Sequence, residues 1–300
     1  MEEGFARGYR NQRYELYARW QTWLQRHENA TMLGMSVVMA LATAALAQVR
    51  ILTPLTPVPY TGQVFGVALT GGLLGRKWGT LSTGLYLAMG LVGLPVYAGQ
   101  FAAFTDFEWF SGIAALTGYT GGYLIGFLGQ AYVVGWAVDR RGAATHRGLV
   151  ATGAATVGVL AGFILLDAYA LSEAQHTRYY TTGVQAWFLA VLVLGEVAVV
   201  AAVAWLAWTS KARRERIEIF MGNVLGLAVV YGLGAFVFYL VFTAAGNSIG
   251  FLATVRGTVL PFIPADLTKI VIAIGLLTLL RPTRSELARR RSSEASPTNV

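Results

Sequence analysis

The chain has no cysteine, which removes disulfides, thiolate nucleophiles and iron–sulfur ligation from consideration. Its three histidines, His27, His146 and His176, are scattered through polar stretches and lack the clustering of a metal site. Gly71-Gly72-Leu73-Leu74-Gly75-Arg76-Lys77 has neither the spacing nor the closing Ser or Thr of a Walker loop, so the chain does not hydrolyse ATP by that route. Ser82, Ser111 and Ser248 sit outside any Gly-x-Ser-x-Gly turn, which argues against a serine hydrolase. Charge is also scarce, at 13% of 300 residues. Set against 55% hydrophobic residues and a mean hydropathy of +0.54, that scarcity excludes an ordinary soluble domain and points to a polytopic membrane protein.

What charge there is follows a pattern. Eight apolar segments are expected to cross the bilayer, at roughly 32–52, 60–75, 78–97, 117–138, 149–171, 186–208, 220–243 and 261–280, most near the ~20 residues a span requires. With both termini cytoplasmic, only Arg50, Arg178, Arg256 and Lys269 of the 23 Lys and Arg residues lie near or on the outer side. That is the asymmetry expected of a plasma-membrane protein. It also accounts for the net charge of +8 without a nucleic-acid partner. Residues 1–31 form a basic segment with Leu16, Trp20, Trp23 and Leu24 at helical spacing, suited to the anionic inner leaflet or to a solvated tail. Residues 32–280 form the membrane domain, and 281–300 a basic tail expected to be disordered.

The most informative stretch is Pro261-Phe262-Ile263-Pro264-Ala265-Asp266-Leu267-Thr268-Lys269, which opens the last apolar run. Pro264 suits an early helical position. Asp266 and Lys269, three apart, then share a face. Ionised groups in a membrane segment cost at least ~2.5–3.5 kcal/mol on insertion scales and mark function by default. The bland account is a capping Asp and a snorkelling Lys; the sharper one is an acid and an amine that grip a small polar molecule.

Four separated motifs accompany this stretch. They are Pro54-Leu55-Thr56-Pro57-Val58-Pro59-Tyr60-Thr61-Gly62-Gln63, then Leu69-Thr70-Gly71-Gly72-Leu73-Leu74-Gly75, then Tyr86-Leu87-Ala88-Met89-Gly90-Leu91-Val92-Gly93-Leu94-Pro95-Val96-Tyr97-Ala98-Gly99, and Thr117-Gly118-Tyr119-Thr120-Gly121-Gly122-Tyr123-Leu124-Ile125-Gly126-Phe127. In this order they resemble the BioY family, the biotin-specific S components of energy-coupling factor (ECF) transporters. The resemblance covers residues 32–138 and 220–280. It implies an all-α helical bundle with a six-span core, to which this chain adds two spans at about 149–208. It implies biotin capture at the outer face, no cofactor and no catalysis by the chain itself. Association with a membrane coupling subunit and two ATPases is also implied. The acid and lysine of the family's last-helix motif match Asp266 and Lys269. Gln63, Tyr86, Tyr97, Gly122 and Tyr123 match motif positions and are further binding candidates.

Biotin's neutral ureido ring, apolar sulfur ring and carboxylate suit such a set. An acid accepts ureido N–H bonds, an ammonium pairs with the carboxylate or orients the acid, and aromatics such as Tyr60 cover the rest. Ala40 and Ala44 place a small face on the first span, open to a partner helix or to packing within the chain. Tyr119 stands where the family usually has proline, and Asp106, Glu108, Trp109 and Phe110 form an unusual insert. Asp167 and Glu196 fall in the added spans. The alternatives are an S component for another vitamin and an intramembrane enzyme using Asp266 and Lys269.

Overall fold

A computed structural model describes residues 28–51, 58–98, 100–102, 106–108, 111–140, 213–247 and 249–280. Helix α1 spans Glu28–Gln48, and its end runs into a short antiparallel ladder of β1 (Arg50–Ile51) with β2 (Tyr60–Thr61), in the register Arg50↔Thr61 and Ile51↔Tyr60. Helix α2 (Gln63–Leu91) follows, then a second small ladder, β3 (Gln100–Ala102) with β4 (Asp106–Glu108). Helix α3 (Ile113–Thr117) leads into α4 (Gly121–Asp139). The remainder is α5 (Arg213–Ala244), α6 (Phe251–Thr258), a 3-10 turn (Leu260–Phe262) and α7 (Ile263–Leu280).

Among the described residues, four stretches are long and apolar enough to cross a membrane: Asn29–Gln48, Gly121–Asp139, Arg216–Ala244 and Phe251–Leu277. The chain is therefore a multi-pass membrane protein with an all-α bundle, and about four spanning helices fall among its described residues. This corrects the expected count of eight spans, six in a core and two added. The segments expected at 60–75 and 78–97 belong to one helix, α2, broken where Gly75 takes φ +76°. The chain folds back there, so that Gly79 lies against Gly71. Run length in a sequence cannot distinguish such a protein-packed element from a lipid-crossing one, since both exclude charge. The segments expected at 149–171 and 186–208, with Asp167 and Glu196, lie outside the described residues. So do the N-terminal aromatic-basic segment through residue 27 and the tail from residue 281.

The interior is built on close helix contacts. On α4, Gly122 and Gly126 meet the Leu233 carbonyl and the Val230 Cα of α5 so tightly that a Cβ at either would need a backbone shift, the small-residue packing common in membrane bundles. Helix α1 packs on α2. Ser82 donates to the Ser36 carbonyl at 2.7 Å, and Ala40, Ala44 and Ala47 are buried at 1%, 8% and 0% exposure. Of the two roles open to the small face of Ala40 and Ala44, this burial fits packing within the chain. The outward face of α1 carries bulky Val38 and Leu41 instead.

Asp139, at the end of α4, accepts the Arg76 backbone N–H at 2.8 Å and holds the turn at Gly75. A Cβ at Gly75 would clash with the same carboxylate. Gly75→Ala is expected to destabilise the bundle by about 1–3 kcal/mol through backbone strain. The measure is unfolding in detergent; an unchanged transition would remove Gly75 as a required turn residue.

Candidate functional site

Four elements converge at the mouth where α7 begins. The α6–α7 span is discontinuous, and Pro261 lies in the 3-10 turn between them. A break of this kind is tolerated in membrane proteins where protein or a cavity satisfies the freed backbone. Here side chains do so. The Tyr60 hydroxyl donates to the Pro261 carbonyl at 2.6 Å, and the Tyr123 hydroxyl to the Thr258 carbonyl at 2.7 Å.

Inside the mouth, Asp266 is buried at 2% exposure, yet both its oxygens are engaged. Lys269 Nζ donates to Oδ1 at 2.7 Å, and the Tyr231 hydroxyl of α5 donates to Oδ2 at 2.8 Å. Lys269 Nζ also donates to the Thr61 carbonyl at 2.7 Å. An ammonium has three N–H donors, so one is left for another acceptor. The bland account of a capping acid and a snorkelling lysine does not describe this arrangement: the pair is turned inward and shared among α5, α7 and β2.

The pair opens onto a hollow with about 680 Å³ of empty space, the open solvent at its mouth included. Gln63, Tyr97, Tyr123, Asp266 and Lys269 line it, together with Thr61 and Thr120. Phe127, Phe262 and Val230 supply apolar wall, and Val58 and Pro59 border it from the proline-rich loop. Residues 52–57, the rest of that loop, lie outside the described residues.

Two expected site residues are elsewhere. Tyr86 is fully buried behind Gln63, whose Nε2 donates to its hydroxyl, and it packs edge-on against Tyr97 at 5.6 Å. Gly122 faces α5 at a helix contact. Tyr86 thus supports the wall from behind, and Gly122 sets the distance between its helices. Gln63 is itself fixed, since its Oε1 accepts from Thr61 Oγ1 at 2.9 Å.

Sequence reasoning missed Tyr231, Phe127 and Phe262 as wall or network residues. Phe127 closes one of the quoted motif stretches and Phe262 lies within another. Tyr231 has only a faint signal, a hydroxyl within the long apolar run of α5.

Burial first, and the Asp266 charge second, push the Tyr60 hydroxyl up to about 12. Burial likewise raises that of Tyr97 to about 12. Both therefore stay neutral donors at physiological pH.

An all-helical, multi-pass membrane bundle with a hollow at one mouth, lined by an acid–amine pair and aromatic rings, is the class that fold and site define. The BioY family model matches residues 21–211 and 186–286, and the chain belongs to that family. It is 38% identical over 118 residues to the biotin transporter BioY of Thermotoga maritima, covering 39% of this chain and 63% of that protein. It is 34% identical over 146 residues to the probable biotin transporter BioY of Lysinibacillus sphaericus, covering 49% and 65% respectively. The chain thus spans less than two thirds of either relative. A crystal structure of the S-component for biotin from an ECF-type ABC transporter is similar at a TM-score of 0.49 and 21% identity, covering 85% of this chain and 93% of that one.

The Tyr60 shift gives a pH expectation. The folded value lies above the usual value near 10, so the contribution of the neutral hydroxyl is present below pH ~10 and lost as pH rises towards ~12. The phenolate absorbance difference between wild type and Tyr60→Phe should therefore titrate near pH 12. Titration near 10 would mean that the hydroxyl is not buried beside Asp266.

Proposed function

We propose that the chain is the substrate-capturing S component of an ECF-type transporter and that its substrate is biotin. The observation that carries the reading is the inward Asp266–Lys269 pair on the wall of the hollow, at positions that match the last-helix motif of the family. The relatives' names, biotin transporter BioY in Thermotoga maritima among them, support the choice of substrate.

In this reading Asp266, Lys269 and Gln63 supply the polar contacts. Asp266 Oδ1 and Oδ2 each keep capacity beyond their present partners, because a carboxylate offers about four acceptor positions. They suit N–H groups of a ureido ring. The free Lys269 donor suits a carbonyl or carboxylate oxygen. Tyr97 and Tyr123, with Phe127 and Phe262, enclose the apolar remainder, as a largely apolar pocket with a few placed polar groups does. Tyr231 holds the Asp266 carboxylate in one orientation, so that binding does not require it to be ordered afresh.

The site lies at the outer face and both termini in the cytoplasm, in the plasma membrane, a placement supported by the distribution of Lys and Arg. The chain carries no Walker loop, so energy for uptake comes from a membrane coupling subunit and its two ATPases. It is not an enzyme: Asp266 and Lys269 neutralise one another within 2.7 Å, and no nucleophile is held beside them among the described residues.

Mass spectrometry of small molecules that co-purify with the protein is the direct test. Biotin in near-stoichiometric amount is expected; a different vitamin would transfer the assignment to that substrate, and a lipid-derived product would revive the enzyme. Lys269→Ala should weaken biotin binding at least tenfold, as loss of a charge-assisted hydrogen bond worth about 1.5–3 kcal/mol implies, while membrane insertion persists. Wild-type affinity in that variant would refute the site. Tyr231→Phe should weaken binding by roughly fivefold, from loss of about 1 kcal/mol of orienting hydrogen bond. Isothermal titration with biotin is the measure, and no loss would show that Asp266 is oriented without Tyr231.

A further inference from the structure

At the end of the bundle remote from the hollow, the fold gathers a second constellation that biotin capture leaves unused. Gln63 lines the hollow, and the turn at Gly75 lies twelve residues along α2, about 18 Å away at helical rise. There Arg76 and Lys77 follow the break, and Gly135 of α4 packs directly on the Arg76 backbone. Tyr132 and Trp136 on α4 and Arg140 at its C-cap follow one another at four-residue steps, a spacing that stacks side chains along a helix. The Arg76 guanidinium lies 5.7 Å from the centre of the Tyr132 ring. That of Arg140 lies 4.1 Å from the Trp136 ring, and Lys77 Nζ 4.8 Å from the Trp78 ring. All three distances lie within the reach of a cation–π contact.

These cations are held by rings, not by acids. Among the described residues no carboxylate pairs with Arg76, Lys77 or Arg140. Asp139, which immediately precedes Arg140, accepts the Arg76 backbone N–H on Oδ2 at 2.8 Å. Arg216 comes to the same end, because Gly222 of α5 packs on Ala137 and Arg216 lies about 9 Å further along that helix. Its Nε is buried without a hydrogen-bond partner. Positive charges with Trp and Tyr beneath them, at the end of membrane-spanning helices, sit at headgroup depth, where aromatic belts lie.

We propose that Arg76, Lys77 and Arg140, with Arg216 beside them, form a binding site for the phosphate of an anionic phospholipid headgroup, whose acyl chains lie along the exposed Tyr132 face of α4. Charge complementarity selects the occupant, and the depth of the site selects a lipid over a soluble phosphate. A guanidinium stacked on a ring keeps its edge N–H groups for phosphate oxygens. The stacking restricts the side chains before the lipid arrives, so less order remains to be imposed on binding. The site is independent of biotin and lies at the opposite mouth.

The test uses the full chain in nanodiscs of phosphatidylcholine with one part in five phosphatidylglycerol, released for native mass spectrometry. Wild type should retain phosphatidylglycerol in preference to phosphatidylcholine. Arg76→Gln and Arg140→Gln should each lower that preference about fivefold, the fold-change that corresponds to ~1 kcal/mol per basic residue near an anionic surface. Arg76→Lys, which keeps the charge, should retain most of it. Equal retention of the two lipids by wild type overturns the site and leaves an acidic protein surface as the remaining occupant. Equal loss in Arg76→Lys and Arg76→Gln traces the effect to packing and also overturns it. Displacement of the lipid by inorganic phosphate alone assigns the site to a soluble anion and overturns the lipid assignment.

Discussion

A single ammonium joins the two ends of the described bundle. Lys269 Nζ bonds to Asp266 on its own helix and to the Thr61 carbonyl, 208 residues earlier in the chain. Thr61 lies on β2, next to the proline-rich loop that borders the hollow. The bond therefore ties the loop to the helix mouth. Tyr60 repeats the connection one residue away, through its hydroxyl to Pro261 and through its ring, 4.5 Å from that of Phe262. A buried acid and amine are costly to desolvate and are tolerable only when their remaining capacity is met. Tyr231, Thr61 and the pair itself meet most of it, and what remains faces the hollow.

That constraint explains the irregular backbone around the site. A continuous helix through residues 251–277 would carry Asp266 along a smooth cylinder. The 3-10 turn at Leu260–Phe262 instead starts α7 afresh at Ile263, with Asp266 in its first turn near the positive end of the helix dipole, which favours a carboxylate there. The freed carbonyls of Thr258 and Pro261 become acceptors for Tyr123 and Tyr60. Aromatic wall and broken helix thus support each other: the hydroxyl end of Tyr123 satisfies the backbone while its ring lines the hollow.

Much of this was legible in the residues. Two charges three apart in an apolar run can hardly be accidental, because each carries an insertion cost, and their spacing already put them on one face. Motif order identified the family before any contact was known. Legibility failed where burial by protein and burial by lipid give the same composition. The stretches 60–75 and 78–97 are apolar and glycine-rich, but Gly75 reverses the chain and joins them in one broken helix. Ala40 and Ala44 are buried within the bundle, a use of their small face that spacing alone left open beside contact with a partner. Tyr86 and Gly122 belong to the same motifs as the wall residues and yet face away from the hollow, since motif membership does not say which side of a helix a residue takes.

The sequence by itself determined that the chain is a helical membrane protein, that it belongs with BioY proteins, and that Asp266 and Lys269 share a helix face. Those properties follow from composition and from the local geometry of three-residue spacing. Only the tertiary structure decided that the pair points inward, that Tyr231 is its third member, and that Tyr86 stands behind the wall. Each depends on contacts between helices far apart in the chain, which helical periodicity does not encode.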